Sequence, residues 1–92
     1  MVSIQTSMQW DPVALGKYNK MLNLIPTFHR RIAKEVVNKK AEQLAQARGS
    51  AAVEESDIVQ AFFTEVPKAF SSLMVRIMDE VGFDYKKYGG DK

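Results

Sequence analysis

The chain has 92 residues, 46% of them hydrophobic, and a net charge of +2. That suffices for one small folded domain and is too apolar for a chain that stays disordered throughout. With no cysteine, disulfides, thiolate zinc sites and cysteine-held iron–sulfur clusters are excluded within the chain, which fits a cytoplasmic protein.

Residues 1–9 show neither a helical nor an alternating period and read as a loose lead-in. They lack the basic and apolar regions of a signal peptide. Trp10-Asp11-Pro12 is a helix start. Asp11 can cap, Pro12 suits the first helical position, and Trp10 can pack on Leu15. The helix predicted to about Leu22 puts Ala14, Tyr18 and Met21 on one side. Gly16 weakens it unless another backbone packs closely there.

Pro26 to Arg48 is predicted as one long helix, opened by a proline and stopped at Gly49, where a left-handed residue costs glycine little. Two apolar rows run along it at four-residue spacing: Phe28, Ile32 and Val36, and Ala33, Val37, Ala41 and Ala45 with Leu44 beside them. Both rows are expected to be covered by the neighbouring elements. Ser50, Ala51 and Ala52 form a small-residue loop. Glu54, Glu55 and Asp57 then open a third helix, where the dipole favours acids. Ile58, Val59, Phe62, Phe63 and Val66 give it a wide apolar face, and Pro67 ends it. A last helix is predicted from about Pro67 to Val81, closed by Gly82. Residues 83–92 are read as a flexible tail. No strand pattern is seen, no run of about 18 apolar residues suggests a membrane span, and the fold class is all-α with four helices.

Charge is unevenly placed. Residues 17–48 hold eight cations against Glu35 and Glu42, net +6, while residues 49–85 hold seven acids against Lys68 and Arg76, net −5. Arg30, Arg31 and Lys34 lie near the start of the long helix, where cations oppose the dipole. With Arg48 they form the candidate anion- or partner-binding set, the alternative being ion pairing with the chain's own acidic half. His29 is the sole histidine and reads as a solvent-edge residue; no metal-ligand spacing surrounds it. No cofactor is expected, and no catalytic residue is assigned.

Trp10, Ala14, Ile25-Pro26-x-Phe28-x-Arg30, Ala33 and Glu42-x-x-Ala45-x-x-x-Gly49 together resemble the small C-terminal domain of the B-type subunit of light-independent protochlorophyllide reductase, over roughly residues 10–62. This chain differs by about one extra helical turn between Arg30 and Glu42, and the enzyme's catalytic body has no counterpart in these residues. The resemblance therefore implies an add-on module that docks on an oxidoreductase or helps cover a tetrapyrrole-like ligand, not the reductase activity. A second pattern, Ala41-x-x-Leu44-Ala45-x-x-x-Gly49 followed by Val53, Asp57-Ile58 and Ala61, is similar to archaeal-type histones. It implies short–long–short helix geometry and, as the alternative function, a dimeric DNA-binding protein. Where histones carry basic and hydroxyl residues just after the glycine, this chain has Ser50, Ala51 and Ala52, with only Arg48 before them. The expected assembly is a homodimer, because the apolar faces exceed what so small a core covers.

Overall fold

The computed structural model describes residues 8–88, which form four α-helices and one short pair of strands. The order is β1 (Gln9–Trp10), α1 (Pro12–Leu24), α2 (Thr27–Ala47), β2 (Ala52–Val53), α3 (Glu55–Glu65) and α4 (Ser71–Val81), with a 3-10 turn at Lys68–Phe70 before α4. The all-α reading holds. Among the described residues no helix is long and apolar enough to cross a membrane.

The helix starts and stops follow local chemistry. The Asp11 carboxylate accepts the Ala14 N–H at 2.9 Å, and Pro12 fills the first position of α1. Helix α2 opens after Pro26 and closes at Arg48, followed by Gly49 with φ +73°. At α3 the Asp57 carboxylate reaches back to the Glu54 N–H at 2.8 Å, satisfying a donor that the helix leaves unpaired. Val66 is extended, as the residue before Pro67 must be, and ends α3. Gly82, at φ +93°, ends α4.

The core lies where α1 and α3 meet the narrow face of α2. Val37, Ala41 and Ala45 are fully buried there, against Ile58, Ala61 and Phe62 of α3. Alanine at two of those α2 positions lets the two helix backbones approach closely, and α2 makes its most extensive packing with α3. An aromatic series links three elements. Trp10 stacks on Tyr18 at 5.4 Å between centroids, and Tyr18 meets the edge of Phe62 at 5.8 Å. The Trp10 indole N–H donates to Glu42 at 3.0 Å and the Tyr18 hydroxyl donates to Asn38. Burying Phe62 alone stabilises the fold by roughly 1.5–3 kcal/mol.

Four expectations are corrected. Met8 packs on the core and Gln9–Trp10 pairs in parallel with Ala52–Val53, so the end of the lead-in is structured and a strand pair exists. Residues 1–7 lie outside the described part. The stacking partner of Trp10 is Tyr18, where the expected partner was Leu15, which is 37% exposed. The last helix begins at Ser71, after a 3-10 turn closed by the Phe70 N–H to Pro67 carbonyl bond. In the tail, Phe83 is buried and Tyr85 and Tyr88 pack on the core edge. Lys17 holds this end in place, donating to Glu55 at 3.2 Å and to the Gly82 carbonyl at 3.0 Å. Residues 89–92 of the tail lie outside the described part.

Candidate functional site

The four cations chosen from the sequence do not converge. Arg30 turns back to the end of α1, where its guanidinium donates to the carbonyls of Leu22 at 2.8 Å, Asn23 at 3.2 Å and Ile25 at 3.1 Å. Those carbonyls are the negative end of the α1 dipole, which a cation stabilises. What Arg30 meets is thus the carbonyl end of the preceding helix, not an external group.

Arg48 sits at the other end of α2 and binds Asp57 through two bonds, at 2.9 and 2.7 Å, with Glu54 at 3.4 Å. Asp57 is 1% exposed, and this bidentate pair together with the Glu54 N–H satisfies its carboxylate. The hydrogen bond to Asp57 pushes the Arg48 guanidinium above its ordinary pKa. For Arg48 the internal pairing between the basic and acidic halves is what the structure contains. Arg31 and Lys34 are exposed on α2, and neither forms an ion pair among the described residues. A single anion-binding patch of Arg30, Arg31, Lys34 and Arg48 is therefore not assembled.

The row Phe28, Ile32 and Val36, expected inside, is outside: the three are 87%, 64% and 36% exposed. Both α2 rows have the same spacing, and only one can face α1 and α3. The alanine-rich row wins, because its small side chains permit the closer helix approach.

Beside the exposed row runs a groove of about 330 Å³ between α2 and the segment joining α3 to α4. Ile32 and Val36 form one wall; Val66, Phe70 and Leu73 form the other. Phe70 is itself 42% exposed. His29 stands at the mouth, its ring 5.9 Å from both Phe28 and Phe70, exposed to solvent as expected. The lining contains no serine, threonine or cysteine, and its titratable side chains are His29 and Glu65. What the groove offers is apolar area to be removed from water. Among the described residues no group of three or more His, Cys, Asp or Glu is placed to hold a metal ion. Set against family models, curated proteins and solved structures, the chain matches none of them.

Proposed function

We propose that the protein is a small non-catalytic interaction module that binds a protein partner through the outer face of α2 and the adjoining groove. The observation that carries this reading is the exposed row Phe28, Ile32 and Val36 beside an apolar cleft that Ile32, Val36 and the exposed Phe70 line. Exposed apolar surface concentrated in this way marks interaction sites, whereas single exposed residues do not. A groove lined by aliphatic and aromatic side chains fits the apolar face of a helix.

The histone-like alternative, a dimeric DNA binder, has less support. Arg30 and Arg48 are committed to contacts within the chain, and DNA affinity grows with the number of phosphates neutralised.

A photo-crosslinking residue placed at Phe28, with a control at Lys20, tests the docking reading in the cells that make the protein. The expected result is a discrete higher-mass adduct from position 28 and none from position 20. Equal labelling at both positions, or none at either, would remove the site.

A further inference from the structure

We infer that the partner covering this face is a second copy of the chain, with α2 packed antiparallel on α2 about a two-fold axis near Ile32. The inference rests on the docking reading above and goes further by naming the occupant. Its basis is a charge pattern beside the apolar row. Arg31 and Glu35 are four residues apart, so they lie one above the other on the same flank of Ile32. The groove lies on the opposite flank. Both residues are exposed, and among the described residues neither forms an ion pair within the chain.

An antiparallel two-fold pair brings like flanks together with their directions reversed. With the axis at Ile32, Arg31 of one copy comes within about two residue steps, ~3 Å along the helix, of the partner's Glu35. Symmetry repeats the pair, giving two opposite-charge contacts. A parallel two-fold pair would instead bring opposite flanks together, setting the Arg31–Glu35 flank of each copy against the apolar groove side of the other. The same antiparallel register sets Phe28 level with the partner's Val36 along the helix axis. Phe28, 87% exposed in the single chain, and the rest of its row thus lie beside the reversed row of the other copy. An interface of this kind closes on itself and leaves no row uncovered.

Sedimentation equilibrium of the full chain tests this. The expected mass at high concentration is twice the 10.4 kDa of the chain. Arg31→Glu or Glu35→Arg alone should raise the dimer dissociation constant about tenfold or more, since two attractive pairs become two repulsive ones. The double variant should return it to near the original value. Both positions are exposed, so a thermal melt confirming that each variant is folded completes the comparison. A monomer mass up to millimolar concentration overturns the inference, as does a dimer indifferent to the single reversals or not rescued by the double one. If the purified chain is monomeric while position 28 still crosslinks to a different protein, self-pairing fails and the docking reading stands. If no adduct forms and the chain is monomeric, both fall.

Discussion

Asp57 is a buried charge whose partners all lie within a few residues of a helix end. Its carboxylate is held by Arg48 and by the Glu54 N–H. Removing the cation leaves that carboxylate buried and largely unpaired, whereas replacing the carboxylate with an amide keeps an acceptor for the Glu54 N–H. Arg48→Ala should therefore cost more than Asp57→Asn, about 3 kcal/mol against about 1–2 kcal/mol. The first figure sits at the low end for a buried pair because the Arg48 side chain is 43% exposed and solvent screens it. Urea melts of the two variants check the order; the reverse order would show that the pair's charge is not what matters. Tyr18 makes a second residue-scale prediction. Burial raises the pKa of its phenol, so the folded chain keeps the proton where the unfolded chain loses it. Below about pH 10, the ordinary tyrosine value, both states are neutral and the full stability is present. Above it the unfolded state binds fewer protons, so stability falls as pH rises. Tyr18→Phe should flatten this alkaline fall, which chemical melts between neutral and alkaline pH would record. An unchanged slope would place the phenol in water.

Helix α1 offers a direct test of local propensity. Gly16 lies within it, exposed, and a β-carbon added there would meet nothing within 4 Å. Gly16→Ala should therefore stabilise the fold by about 0.5–1 kcal/mol, through a less flexible unfolded chain and a better helix former. A lowered melting temperature would mean that another backbone packs there after all. Much of the element layout was legible because the ends are written locally: Asp11-Pro12, Pro26, Gly49, Pro67 and Gly82 each act within one turn. The β1–β2 pair was not legible, since two-residue strands carry no period and depend on a partner far along the chain, as Trp10 does on Val53. The buried face of α2 was legible only as one of two choices. Periodicity gives the rows, but close approach to α3 decides between Ala33-Val37-Ala41-Ala45 and Phe28-Ile32-Val36. The candidate cations misled for a related reason. Arg30 does answer a local field, but the negative end of α1 that it meets is created by the turn at Asn23–Pro26, which sequence spacing does not place.

On the scale of the whole molecule, the chain builds its core on one side of α2 and leaves the other side apolar and open. Folding of the single chain does not need Phe28, which is 87% exposed, so Phe28→Ser should change the stability of the monomer by less than about 0.5 kcal/mol. Phe62→Ala should cost about 3–5 kcal/mol, because its fully buried ring touches the centre of the core. The central claim is that the Phe28–Ile32–Val36 face exists to be covered by another molecule, in our reading a second copy. It is tested most directly by the Ile32 methyl resonance of the unmodified protein, followed in a concentration series with the buried Ile58 methyl as reference. If a second copy covers the face, Ile32 shifts with concentration, loses access to a paramagnetic solvent probe and shows contacts between differently labelled copies, while Ile58 stays fixed. An Ile32 signal that remains unshifted and fully accessible to the probe from micromolar to millimolar concentration would contradict it.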